Sequence, residues 1–224
     1  RNIILKVVID NNINLDVYEK LKAVKNRNVV KILDYGMKDN RQYVIEELIE
    51  GKALDKTNLP LGKKEFWKLV YEINHGLSKI HKCGIVHRDI KPANIIYSKT
   101  GHFIITDFGI SSFVSSKAED YSHTAGYSAP ELFVNDFTSA YDYYGFGFVL
   151  YYAATGINPF SGRGKNYIYR DEIENFTIKD VAVRKEVLSL PERIQKLLLN
   201  LIQNDCELRW SYKDVIKWLL RIPF

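Results

Sequence analysis

A chain of 224 residues, with hydrophobic side chains at 46% and charged ones at 26%, is long enough to bury one large core or two unequal lobes. Its net charge of +5 is spread along the sequence without a dense basic block, so composition gives no positive signal for nucleic acid. Two distant cysteines, Cys83 and Cys206, with no CxxC pair, exclude a disulfide framework, argue against a zinc site and fit a reducing, cytoplasmic setting.

The opening "RNIILKVVIDNN" is β-branched and apolar for only a few residues, which predicts a strand and not a secretory signal. "NLDVYEKLKAVKN" carries Leu15, Val17, Leu21 and Val24 at helical spacing. "VVKILDYGM" and "QYVIEELI" then predict two strands joined by the turn "KDNR", and Glu50-Gly51 follows as a hinge-like break. Residues 1–50 thus form a small, β-rich unit, and residues 51–224 a larger and mainly helical one. The fold class is α+β. In the larger unit, "KKEFWKLVYEINHGLSKIHKCG" places Phe66, Leu69, Val70, Ile73, Leu77 and Ile80 on one helix face, with Gly84 as its stop. Cys83, at the end of that pattern, reads as a packing residue. Two short strands, "NIIYS" and "FIITD", flank the turn "KTGH". "GFGFVLYYAATGI" is apolar over thirteen residues, short of the roughly twenty that span a membrane, and predicts a buried core helix. The chain closes on "SYKDVIKWLL", where Ser211 and Asp214 form a partial N-terminal cap.

Three motifs occur in order: "HRDIKPAN" from His87, "DFG" from Asp107 and "APE" ending at Glu131. With 24 residues between Asp107 and Glu131, the set resembles the eukaryotic-type (Hanks-type) serine/threonine protein kinases over nearly the whole chain. The resemblance implies a bilobal fold with an incomplete N-lobe over 1–50 and a C-lobe over 51–224. It implies ATP and Mg²⁺ as cofactors and a protein substrate with a Ser or Thr acceptor. A regulatory partner protein is a further possibility of that family; no membrane span is signalled. Phosphoryl transfer needs cations to neutralise phosphate charge and a group to orient the attacking hydroxyl. By resemblance Asp89 orients that hydroxyl and accepts its proton, Lys91 faces the γ-phosphate, and Asn94 and Asp107 hold Mg²⁺ through hard oxygen ligands. Lys6, in "IILKVVI", grips the α- and β-phosphates. Thr124 contacts Asp89 and Lys91. Arg88 pairs with a phosphate on the activation segment. Glu131 pairs with Arg209 of "ELRWS", Asp142 accepts backbone donors from the 87–94 loop, and His87 and Phe108 stack in the interior.

One missing motif and three positions depart from the pattern. No G-x-G-x-x-G occurs; either the chain is part of a longer one or two strands have been dispensed with. The helix position that carries a glutamate partner for Lys6 falls on Val17, and Asp16 and Glu19 sit poorly for that role. The residue before the hinge, Glu46, is a carboxylate where an apolar residue or Thr is usual; it needs a partner, and Lys6 is within reach. His123 stands where Gly is usual. The absent glycine-rich loop and the missing helix glutamate keep alive the alternative of a weakly active or catalytically silent kinase-fold interaction module. A small-molecule phosphotransferase shares the H-x-D-x-x-x-x-N spacing, but not Thr124, "APE" and Arg209.

Counting back from Glu131 places Glu119 and Asp120 where the family carries a phosphorylated Ser or Thr. Either one of these acids supplies constitutive negative charge to Arg88, or the stretch is an exposed turn, with phosphorylation at Ser115, Ser116 or Ser122 or with none. The double change Glu119→Ala, Asp120→Ala is expected to lower phosphotransfer, measured as initial rate; an unchanged rate overturns the assignment.

Overall fold

The computed structural model describes residues 2–8, 12–114, 126–134, 137–158 and 178–221. It has a small unit built on one sheet and a larger, mostly helical remainder.

The small unit is a three-stranded antiparallel sheet in the order β1 (Ile3–Val8), β3 (Arg41–Glu47), β2 (Ile32–Lys38). Alternation sets its faces. Ile4, Lys6 and Val8 turn inward, opposite Glu46, Val44 and Gln42 of β3. Asp39 and Asn40 join β2 to β3 with φ of 49° and 58°, a left-handed pair that suits a two-residue hairpin loop and that Asp and Asn tolerate well. Helix α1 (Leu15–Ala23) starts at Asn14, whose side chain accepts the Asp16 amide at 3.1 Å. Just before it, the Gln42 side-chain amide exchanges two 3.0 Å hydrogen bonds with the backbone of Ile13. Val17, Tyr18 and Leu21 are its buried face.

The sequence pattern ran β2 from Val29, but the strand begins at Ile32. Val29 and Val30 leave the small sheet because the larger unit claims them. Val30 donates to Ile105 O at 2.9 Å, Ile105 donates to Asn28 O at 2.9 Å, and the Asn28 side chain donates to Phe103 O at 2.9 Å. The stretch that looked like strand on apolar content is therefore a latch between the units.

The larger unit begins with β4 (Gly51–Ala53), which pairs with β6 (Ile95–Ser98), itself paired with β7 (Phe103–Ile105). Reading Glu50-Gly51 as a break missed this strand; three residues are too few to carry an alternation. Helix α2 (Lys63–Lys82) buries Phe66, Leu69, Val70, Ile73, Leu77 and Ile80. Gly84 follows at φ 74°, a conformation that costs glycine little. The chain then turns into β5 (Ile85–Val86), paired with β8 (Ser112–Phe113). Helix α3 (Ser139–Thr155) contains most of the thirteen-residue apolar run and is buried nearly all round. Gly145 lets it approach the 87–94 loop: a Cβ there would lie 2.7 Å from Ile90 O. Short helices α4 (Ile178–Ala182) and α5 (Lys185–Leu188) precede α6 (Glu192–Leu201) and α7 (Tyr212–Leu220). At the start of α7, Asp214 accepts both the amide and the hydroxyl of Ser211, at 3.0 and 2.7 Å. No helix among the described residues is long and apolar enough to cross a membrane.

Arg209, with a fully buried side chain, ties the turn at Pro130–Val134 to this helical layer. Both its terminal nitrogens reach Glu131, one of them at 3.1 Å. The guanidinium also donates to Gln203 O and Ala140 O, each at 2.8 Å, and lies 5.0 Å from the centre of the Tyr144 ring. Removing Glu131 strands a buried cation. Glu131→Ala is expected to destabilise the fold by about 3–5 kcal/mol, read by chemical denaturation. Adding Arg209→Met should restore part of that loss.

Candidate active site

The site lies where the inner face of the small sheet meets the loop after β5 and the turn after β7. Its fixed point is Asp142, in the first turn of α3 and almost wholly buried. Its carboxylate accepts the backbone amides of His87 and Arg88 at 2.8 and 2.9 Å, and the His81 ring nitrogen Nε2 lies 2.7 Å away. Arg88 is held at φ 69°, left-handed for a residue with a side chain. Such a conformation costs about 1–3 kcal/mol and persists only where its surroundings over-determine it. The Asp142 bonds supply that constraint and aim the next residue, Asp89, outward.

His87 is fully buried. Its Nδ1 accepts the Asp89 amide at 3.2 Å, so Nε2 carries the proton and donates to Thr106 O at 3.0 Å. Its ring centre is 4.6 Å from that of Phe108. The imidazole thus joins the 87–94 loop to the turn at Asp107. A second join is made by Thr106, whose amide and hydroxyl both donate to Asn94 O, at 2.9 and 3.2 Å.

Within the loop, Asp89 Oδ2 lies 2.6 Å from Lys91 Nζ and 2.8 Å from Asn94 Nδ2. The Asn94 amide also donates to Asp89 O at 2.9 Å. With both its hydrogens committed, Asn94 presents its oxygen as the remaining polar group. Asp107, at φ 67° and with a side chain about half exposed, follows Thr106, the residue bonded to Asn94 O. Among the described residues no three His, Cys, Asp or Glu side chains gather into a metal cage. An amide oxygen and one carboxylate are a donor set that suits Mg²⁺ shared with phosphate oxygens, which keeps few protein ligands.

Lys6 faces the same space. Its Nζ lies 3.1 Å from Glu46 Oε1 in a close ion pair, not an aligned hydrogen bond, and 3.4 Å from Asp107 Oδ1. The Lys6 side chain is one-third exposed and that of Glu46 only 3%. Burial pushes the Glu46 carboxyl above the usual carboxylate range; Lys6 opposes that shift and the charge on Asp107 adds to it. Burial also raises the Tyr18 hydroxyl, reinforced by the negative charges of Glu46 and Asp107. The acids of α1, Asp16 and Glu19, are exposed, while Val17 is fully buried. Helix α1 therefore brings an aromatic hydroxyl, and no carboxylate, to the neighbourhood of Lys6.

Arg88 donates to Ile110 O at 3.1 Å and sits 4.2 Å over the Phe137 ring. Glu119, Asp120, His123 and Thr124 lie outside the described residues. Two contributors escaped the sequence reading. His81 was a polar residue in the last turn of an apolar helix, a signal that points to a buried partner. Tyr18 sat beside the residues that were scored for charge and carried no acidic side chain to draw notice.

The protein kinase domain model matches residues 11–219. A probable serine/threonine-protein kinase of Clostridium perfringens is 30% identical over 213 residues, covering 89% of this chain and 30% of that protein. The serine/threonine-protein kinase PrkC of Bacillus subtilis is 28% identical over 195 residues, covering 84% of this chain and 30% of its own length. The chain thus spans about a third of the length of the curated relatives it matches. The structure of the Cydia pomonella granulovirus kinase PK-1 superposes with a TM-score of 0.76 at 21% identity, over 96% of this chain and 84% of that one. It establishes the protein-kinase-like fold.

The Lys6–Glu46 pair makes a double-mutant test. Lys6→Met strands a buried carboxylate and is expected to cost about 1–3 kcal/mol, less than a fully buried pair because Lys6 keeps partial contact with water. Lys6→Met with Glu46→Leu replaces the pair by apolar groups and should recover most of the loss in a urea titration.

Proposed function

Because the chain belongs to the protein kinase family, we propose that it transfers the γ-phosphoryl group of ATP to a serine or threonine hydroxyl of a protein substrate. One observation carries this reading: the Asp89 carboxylate is held by Lys91 at 2.6 Å and Asn94 at 2.8 Å, in a loop joined through Thr106 to Asp107. A carboxylate held in place by neighbouring donors is suited to orient a substrate hydroxyl and to accept its proton. Lys91, already beside Asp89, places positive charge where the transferring group gathers negative charge. Lys6 holds the phosphates on the nucleotide side. Asn94 and Asp107 hold the divalent cation, which when bound neutralises phosphate charge.

The assignment of Ser and Thr over Tyr as acceptors is supported by Lys91 in the D-x-K-P-x-N spacing and by the serine/threonine kinases among the relatives. The need for ATP and the two free cysteines, Cys83 and Cys206, favour action in the cytoplasm. A silent interaction module is the competing reading, and Val17 in place of a helix carboxylate is what favours it.

Transfer of labelled γ-phosphate with Mg²⁺, onto the protein itself and a basic protein substrate, separates the two. Asp89→Asn is expected to cut the initial rate by about a hundredfold to ten-thousandfold, the usual share of a positioned base. Equal labelling by Asp89→Asn and the unmutated protein overturns the proposal.

A further inference from the structure

The cation that faces the nucleotide site takes its buried partner from the sheet and not from the helix. Glu46 lies on β3 opposite Ile4, and Lys6 lies opposite Val44, so the two side chains point to the same face two residues apart along a continuous register from Ile3↔Glu47 to Val8↔Gln42. They meet at 3.1 Å with Glu46 sealed from solvent. The other acid near Lys6, Asp107 at 3.4 Å, is half exposed and is the carboxylate assigned to the divalent cation. Once Asp107 turns to that cation, Glu46 is the remaining partner that the described residues provide. Helix α1 offers none: Val17 is apolar, and Asp16 and Glu19 point to water. In protein kinases generally, a lysine–helix glutamate pair makes the nucleotide grip depend on where that helix lies.

We propose that Glu46 is a positioning residue for Lys6, aiming its ammonium at the nucleotide phosphates from within the sheet, so that this grip is independent of the placement of α1. The inference rests on the phosphotransfer reading above. Two hydrogen-bonded strands move as one body, whereas a helix packed on a sheet can shift against it. A lysine anchored strand to strand is therefore set as soon as the sheet forms. The regulation expected of this chain falls on other elements than α1.

The test compares calorimetric binding of Mg·ATP and of adenosine, which lacks phosphates, in the full-length protein. The variants are Glu46→Gln, Glu46→Leu and the double change Asp16→Ala, Glu19→Ala. Both Glu46 variants are expected to bind Mg·ATP about thirtyfold more weakly, the low end for truncating one partner of a desolvated charge pair, with adenosine affinity unchanged. Steady-state assays of Glu46→Gln should show KM for ATP rising more than kcat falls. The α1 double variant should match the unmutated protein for both ligands. Equal weakening of ATP and adenosine would mean that Glu46 only shapes the pocket, and overturns the proposal. So does a loss of ATP affinity in the α1 variant, or full ATP affinity in both Glu46 variants; the phosphotransfer reading survives each of these. Failure of the unmutated protein to bind Mg·ATP overturns that reading and this inference together.

Discussion

The buried carboxylate of Asp142 is the constraint on which the rest of the site depends. It has no water to solvate it, so its oxygens must be met by protein donors. The amides of His87 and Arg88 and the ring of His81 meet them. Satisfying that one acid fixes the end of α2, the start of α3 and the entry of the 87–94 loop at a single point. The left-handed backbone at Arg88 is a by-product of this arrangement, because the two successive amides converge on one carboxylate. Gly145 serves the same point, since any larger residue would push α3 off the loop.

The second requirement is that residues far apart in sequence arrive in the same place. Lys6 comes from the small unit, Asp89 and Asn94 from the loop, and Asp107 from the turn after β7. The Asn28 latch fixes the small unit to β7, and β7 leads directly into Thr106 and Asp107. Thr106 in turn is bonded to Asn94, and His87 to Thr106. β7 is thus the shared reference for all four groups. Its three strand residues matter less for sheet stability than for what hangs on either side of them.

Contiguity decides what was legible in the sequence. "HRDIKPAN" and "DFG" are local strings whose residues touch one another or their immediate neighbours, so their identity nearly states their geometry. The helices of the larger unit were equally plain, because burial on one face of α2 repeats at a helical period over 20 residues. The partners of Lys6 were of another kind. Whether Glu46 or an acid of α1 meets it depends on strand register and on the rotation of a nine-residue helix, and neither is written in composition. The sequence could say that Glu46 needed a cation, and that Val17 left a gap; the 3.1 Å pair follows from the Ile4↔Glu46 register. Val29 and Val30 failed for a related reason. Their β-branched character suits any extended backbone, and which unit they bond to is a tertiary matter.

A common arrangement runs through most of these groups: a side chain or loop that faces the site is aimed by a more deeply buried one. Lys6, one-third exposed, is aimed by Glu46; Asp89 by the buried amide of Asn94; the 87–94 backbone by Asp142. Among the described residues Asp107 has no buried side-chain partner of this kind; its backbone is set by the left-handed φ at its own position and the Phe108–His87 stack beside it. That difference has a physical consequence. A charge held by a buried partner is costly to re-aim, because moving it strands the partner in a medium that cannot solvate it. A half-exposed carboxylate, which water can solvate in other orientations, rotates about its side-chain torsions at less cost. Asp107 is therefore the adaptable member of the set, and it contacts Lys6 while remaining half open to solvent. Asp107 is thus the charged group of the site that the interior holds least.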